Sequence, residues 1–253
     1  MYYWYAARQA IDNKQYPEAY VLLQFCNELK PDDAQTLYYL GAMQSALRHE
    51  NEAKVSFERA YALSKKDAPD ELLDQLMNIY VHEEDWKKAL EIRDVLDEKN
   101  GYDEMSAITR YRIYAMQNKP KQAIKAVDDY LKTDPDNLRF QLFRLELLEH
   151  TKAKKKELYA QYERILELDP YNAMVLNNYA YHLATHGGDL NKAERMSSLA
   201  IREQPNNPVF LDTYGWILHL KGQDELAKFY LTKALQNAQG DAEEIQQHLE
   251  AVK

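Results

Sequence analysis

An all-α chain, arranged as an α-solenoid of seven helical hairpins with one further helix at the end, is what this sequence predicts. Three observations predict it. No segment alternates apolar and polar residues for long enough to make a strand, and seven Gly and eight Pro in 253 residues are few for a sheet built on tight turns. A small residue recurs at Ala19, Ala53, Ala89, Ala123, Ala193 and Ala227, with Leu158 standing in once, so that successive intervals are 34, 36, 34, 35, 35 and 34 residues. Within each period, apolar positions follow helical spacing on both sides of a short polar turn. The clearest copy runs from Leu211 to Leu235. There Leu211, Tyr214, Gly215 and Leu218 mark one helix, Lys221-Gly222-Gln223 a turn, and Ala227, Leu231 and Ala234 a second helix. Gly215 and Ala227 are the expected points of close backbone approach, with larger side chains filling the space around them.

The repeats follow in order. The first, 2–33, turns at Lys14-Gln15-Tyr16-Pro17, and Pro17 suits the first turn of a helix, where its missing N–H costs nothing. Pro31 ends it. The second, 34–70, carries its two extra residues in Lys65-Lys66-Asp67-Ala68-Pro69-Asp70, an expected longer loop. The third, 71–103, has Met77 at the small position of its first helix, regains the pattern at Asp85-Trp86-Lys87-Lys88-Ala89-Leu90, and ends at Gly101 as at a C-terminal cap. In the fourth, 104–137, Tyr111 takes the small position and Thr133-Asp134-Pro135-Asp136-Asn137 makes the turn. The fifth, 138–171, replaces both small residues, by Glu146 and Leu158, so its helices are expected to sit farther apart. The sixth, 172–207, turns at His186-Gly187-Gly188-Asp189, and the seventh spans 208–240. Residues 241–253 form an expected capping helix, with Asp241 at its N-cap, Glu244 three residues on, and Ile245, His248, Leu249 and Val252 on one apolar face. A single domain over 1–253 is the expected organisation.

The pattern Leu37-x2-Leu40-Gly41 with Ala53-x3-Phe57, and its counterpart around Gly215 and Ala227, resembles the tetratricopeptide repeat. Asn177-Asn178-Tyr179-Ala180 and Phe210 to Trp216 look like the end of bacterial tetratricopeptide proteins, many of them exported or lipid-anchored. The resemblance implies a right-handed superhelix whose first helices line a concave inner surface. It also implies which positions point inward: Trp4, Tyr38, Asp74, Ile108, Phe143, Asn177 and Asp212 in one series, and Arg8, Ala42, Asn78, Arg112, Leu147, Tyr181 and Trp216 in the other. From these the expected peptide-binding groove is Trp4, Arg8, Tyr38, Asn78, Ile108, Arg112, Phe143, Leu147, Asn177, Tyr181, Asp212 and Trp216. Aromatic groups such as Trp216 and Phe143 would meet apolar side chains of a partner segment. Arg8 and Arg112 would pair with its carboxylates, and Asn78, Asn177 and Asn178 would hydrogen-bond its backbone. The bland alternative has these side chains packing on the next repeat. The Lys and Asn set of chaperone-tail clamps is missing.

Composition limits the remaining function classes. A net charge of −9 with 29% charged residues lacks the basic stripe of nucleic-acid binders, and Lys152 to Lys156, the longest basic run, reads as a solvated helix end or turn. No stretch is apolar enough to insert in a membrane, and no basic, cleavable leader opens the sequence. Tyr2, Tyr3, Trp4 and Tyr5 stand where a polar cap is expected, so the sequence reads as a piece of a longer protein whose first rings are exposed or covered by a neighbour. Export under an upstream signal and a cytoplasmic location both remain open. The lone Cys26 excludes an internal disulfide and reads as a small core residue aligned with Ala60, Ala200 and Ala234. Phosphate-loop, dinucleotide, zinc-protease and nucleophile-elbow motifs are absent. His182 and His186 share a helix face, yet His186 beside two glycines reads as a cap of the last carbonyls, so no metal or other cofactor is expected. Glu83-Glu84-Asp85 and Asp128-Asp129 read as solvated faces. The expectation is a non-enzymatic scaffold that binds a partner protein or peptide segment within a larger bacterial protein. The competing reading is a regulatory or self-association module of a signalling or membrane-attached protein.

Overall fold

A computed structural model describes residues 2–151, 153–240 and 242–252. Asp241, the expected N-cap, and Lys152 of the basic run lie outside the described residues. Among those described, fifteen α-helices account for the regular structure. They run in order as α1 (Tyr2–Asp12), α2 (Tyr16–Leu29), α3 (Ala34–Ala46), α4 (Glu50–Ser64), α5 (Asp70–His82), α6 (Trp86–Asn100), α7 (Glu104–Met116) and α8 (Pro120–Leu131). The series continues with α9 (Leu138–His150), α10 (Lys155–Leu168), α11 (Ala173–Thr185), α12 (Leu190–Glu203), α13 (Pro208–Leu220), α14 (Asp224–Asn237) and α15 (Glu243–Ala251). This is the α-solenoid architecture of helical hairpins. The expected long loop after α4 contains a single 3₁₀ turn, Lys65–Asp67. The chain divides into two compact units, 1–126 and 127–253, with the division inside α8.

Small residues set how closely each hairpin closes. A Cβ built on Gly41 would lie 2.7 Å from ring atoms of Phe57, and one on Gly215 would lie 2.7 Å from Leu231 and 3.2 Å from the Ala227 carbonyl oxygen. Hairpins α3/α4, α11/α12 and α13/α14 therefore pack backbone against backbone more closely than α5/α6 and α9/α10, where Met77, Glu146 and Leu158 stand at those positions. Around the contacts, Leu37, Phe57, Leu72, Leu73, Leu76 and Tyr80 make the central core of the first unit. In the second, Leu211, Leu218, Leu231 and Ala234 pack against Ile245 and Val252 at the C-terminal end, so the apolar face of α15 closes the array as expected.

A recurrent turn makes four of the connections between hairpins, and its parts stand in the chain as Pro-x-Asp or Pro-x-Asn. Proline cannot continue a helix, and the Asp or Asn two residues on caps the next one: Asp33 accepts from Thr36 N, Asn137 from Phe140 N, Asn172 from Val175 N and Asn207 from Phe210 N. The Asn caps also donate backward, Asn137 to Asp134, Asn172 to Asp169 and Asn207 to Gln204. A basic residue six positions after the small residue of the second helix then ties that helix to the turn. Arg59 donates to the Pro31 carbonyl, Arg164 to that of Pro135 and Lys233 to that of Pro205. Gly101 ends α6 at φ +88°, as expected of a C-terminal cap.

Cys26 departs from its expected place: it is half-buried, whereas Ala60, Ala200 and Ala234 are fully buried. It adjoins Phe25 and precedes Leu29 by about one turn, both exposed, and burial pushes its thiol up from the ordinary value. Tyr2 and Tyr5 are exposed, as the aromatic start predicts.

The caps give a pH-dependent prediction. The hydrogen bond from Lys30, assisted by those from Thr36 and opposed by partial burial, holds the Asp33 carboxyl below its usual range. A carboxyl lowered in the folded state contributes stability above its unfolded value, and that contribution is lost as pH falls. Asp33→Ala should therefore cost about 1 kcal/mol at neutral pH, and the cost should shrink on acidification below about pH 4. Asn172→Ala, at a cap that does not titrate, should cost a similar amount at both pH values. Urea midpoints of the two variants against the wild type at each pH check this; a penalty at Asp33 that ignores pH would refute the role of its charge.

Candidate functional site

The second unit holds a cavity of about 780 Å³ on the side of its first helices. Its walls come from the end of α9 (Leu148, Glu149), from α10 (Leu158, Tyr162), from α11 (Asn177, Asn178, Tyr181, His182) and from α13 (Asp212, Thr213), with Glu244 of α15 also among them. Helical spacing explains why. Asn177, Tyr181 and His186 stand four or five residues apart along one side of α11 and its C-terminal cap, and Asp212 occupies on α13 the position of Asn177 on α11.

The polar groups of this cavity are largely bonded to one another. Tyr162 donates to Glu149 Oε1 at 2.5 Å, and Asn178 Nδ2 lies 3.5 Å from the same oxygen. Burial, with the Glu149 carboxylate, pushes the Tyr162 phenol well above its ordinary range, so it stays a donor. The Tyr181 hydroxyl donates to Glu244 across 63 positions of sequence, and burial together with Glu244 pushes its pKa up to about 12. Both Asp212 oxygens lie 3.0 Å from His248 Nδ1, and the His248 ring stacks on Trp216 at 4.2 Å between centroids. Asn177 is different. It is 3% exposed, and its Oδ1 is cut off from solvent with no hydrogen-bond partner.

The two histidines at the end of α11 behave as the cap reading expects. His186 Nδ1 lies 3.2 Å from the His182 carbonyl oxygen and its ring stacks on that of His182, while His182 Nδ1 meets the Tyr159 hydroxyl at 3.2 Å. Burial, helped by His186 and Lys155, lowers the His182 pKa and favours its neutral form. Asp189 is occupied as the N-cap of α12, accepting from Asn191 and Lys192.

Of the twelve residues expected in a groove, six lie in each unit. Asn177, Tyr181 and Asp212 line the cavity. Trp216 is next to it but half-buried beneath His248, so the last inward positions are covered by this chain's own α15. Ile108 and Leu147, each 6% exposed, are core side chains rather than open surface. Phe143 is half-buried with the Arg139 guanidinium 5.5 Å from its ring centre. In the first unit, Trp4 packs edge-on against Tyr39, Arg8 donates to the Tyr39 hydroxyl, and Tyr38 lines a separate cavity of about 510 Å³ between α3 and the start of α5. Asn78 and Arg112 are exposed. Glu149 and Glu244 were not among the expected residues. Glu149 could have been found by continuing the ridge of α9 three residues past Glu146; nothing local marks Glu244, whose place depends on how α15 folds back.

Comparison with known proteins bears on the fold and the repeat. No protein-family model matches the chain. Over 128 residues, 48% of the chain, it is 32% identical to a TPR repeat-containing protein of Pseudomonas aeruginosa, and the match spans only 21% of that protein's length. Among solved structures, YrrB, described as a TPR protein with an unusual peptide-binding site, superposes with a TM-score of 0.51 at 18% identity, covering 79% of this chain and 97% of its own. A tetratricopeptide repeat protein from Parabacteroides merdae gives 0.48 at 17% identity, covering 98% and 96%. No helix among the described residues is long and apolar enough to cross a membrane. A period of 34 to 36 residues, hairpins closed on Gly or Ala, Pro-x-Asn turns and the Pseudomonas relative together make this chain similar to the tetratricopeptide repeat proteins.

Proposed function

We propose that this chain is a non-enzymatic interaction scaffold, a single array within a larger bacterial protein, that holds an extended segment of a partner against its first helices. The observation that carries the reading is Asn177: a buried amide with an unpaired oxygen costs roughly 1–3 kcal/mol of folding stability, and it lines a cavity large enough for several side chains. A groove that must hydrogen-bond a backbone needs such an acceptor. The peptide-binding site described for YrrB, a structure of the same fold, agrees with this use. The absence of nucleophile, phosphate and metal motifs from the sequence supports a role without catalysis, and the charge of −9 supports a protein rather than a nucleic acid as partner.

Selection of a displayed random-peptide library on the immobilised chain tests the reading. Enriched segments should lose about tenfold in affinity, roughly 1.4 kcal/mol, when Tyr181 is replaced by Ala, because the ring and its hydroxyl form one wall of the cavity. Failure to enrich any segment, or enrichment of segments indifferent to Tyr181→Ala and Asn177→Ala, would remove the cavity from the function.

A further inference from the structure

The cavity has a chemical bias that goes beyond holding a backbone. Among the described residues that line it, the one side-chain atom cut off from solvent without a partner is an acceptor. Asn177 Oδ1 has no donor, and Glu149 takes both its hydrogen bonds, from Tyr162 and Asn178, on Oε1, so that no described residue donates to Oε2. Two further carboxylates stand at the walls, Asp212 and Glu244. Of the cationic groups nearby, Lys155 turns its Nζ to the His186 carbonyl at 2.9 Å, His182 favours its neutral form, and His248 is already engaged with Asp212. A carboxylate entering here would add acceptors where donors are lacking. Guanidinium and ammonium groups carry donors only, and their aliphatic stems can lie along apolar walls such as Leu148 and Leu158.

We infer that the cavity between α9, α11 and α13 receives an arginine or lysine side chain of the bound segment, with Asn177 Oδ1 and Glu149 Oε2 accepting its N–H groups. This rests on the segment-binding reading and adds the class of side chain to it. The acidic character of the chain as a whole would draw basic segments toward any part of its surface, so the assignment is made by the buried amide and the half-bonded carboxylate, not by net charge.

Fluorescence anisotropy with three labelled pools of short peptides, degenerate except for a central Arg, norleucine or Glu, tests the inference on the whole chain. Measurements at about 0.15 M salt suppress attraction between exposed charges more than ~8 Å apart. The Arg pool should bind about tenfold more tightly than the norleucine pool and the Glu pool most weakly. Glu149→Gln should erase most of the Arg advantage, whereas Glu91→Gln, exposed on α6, should leave the binding of every pool unchanged. Asn177→Ala provides a second variant that breaks no hydrogen bond of the fold; it should bind the Arg pool more weakly with its melting temperature unchanged or raised. Equal binding of the three pools, lost together on Tyr181→Ala, would overturn the cationic side chain and keep segment binding. Absence of binding by every pool would overturn both. An Arg advantage that survives Glu149→Gln and Asn177→Ala would overturn its assignment to this cavity.

Discussion

Replacing Phe57 by Ala should cost about 3–5 kcal/mol, because the ring is fully buried at the centre of the first unit and its removal leaves a hole that flanking helices cannot close. The space it occupies exists because residue 41 has no side chain: a Cβ there would lie 2.7 Å from two ring carbons. Gly41→Ala in the wild-type chain should therefore cost about 1–3 kcal/mol by overpacking. In the Phe57→Ala background the sign should reverse. With the ring gone there is room for the methyl, and Ala is favoured over Gly in a helix by roughly 1 kcal/mol. Urea unfolding of the four members of this cycle, followed by far-UV circular dichroism, measures the coupling directly. Additive costs would mean that helices α3 and α4 do not meet through this pair, and the size rule inferred for every hairpin would lose its best-defined case.

That rule is why so much of the fold was legible. A helix backbone can approach another closely only where one side chain is absent or a methyl, so Gly41, Gly215 and the series of alanines announce the contacts before any coordinates exist. Exceptions were legible too: Met77, Glu146 and Leu158 mark two hairpins that close less tightly. Pro31 and Pro135 announced two of the turns, although the caps two residues after them and the return bonds from Arg59, Arg164 and Lys233 did not suggest themselves, since a basic residue on a helix surface has many uses. The site was legible only in part. The resemblance to the tetratricopeptide repeat picks out Asn177, Tyr181 and Asp212, because all three occupy its inward positions on first helices. It also selects Ile108 and Leu147, which are buried, since the same positions face a neighbour or an opening depending on how closely successive repeats approach. No local signal shows α15 folding back so that His248 covers Trp216 and Glu244 reaches Tyr181. Those contacts join residues 32 to 63 positions apart and follow from the path of the chain after Gly240.

Asp97→Ala should cost about 3–5 kcal/mol, far more than an exposed ion pair, because it strands the buried Arg93 guanidinium and leaves Arg110 with Asp94 alone. Asp97 is mostly buried on α6, and Oδ1 accepts from Arg93 Nε at 2.9 Å and from Ser106 Oγ at 2.5 Å, while Oδ2 accepts from Arg110 Nη2 at 2.5 Å. Burial acts to lower the Arg110 pKa, but bonds to Asp97 and Asp94 outweigh it, so the guanidinium is held charged more firmly than usual. This network stands at the passage from the third repeat to the fourth, where Met77 and Tyr111 replace small residues and α6 packs on α7 less closely than α2 on α3 or α12 on α13. Long side chains bridge the wider space, and a carboxylate at its centre satisfies them. Asp97→Asn should cost less than Asp97→Ala, since an amide oxygen can still accept from one of the two arginines. Replacing all three charged groups at once, in the combined variant Arg93→Met, Asp97→Leu, Arg110→Met, should recover most of the loss, because well-packed apolar groups need no partners. Urea midpoints for the three variants decide the matter: a cost below about 1 kcal/mol for Asp97→Ala would class the network with surface pairs, and the wider spacing of these repeats would then have to be bridged by packing alone.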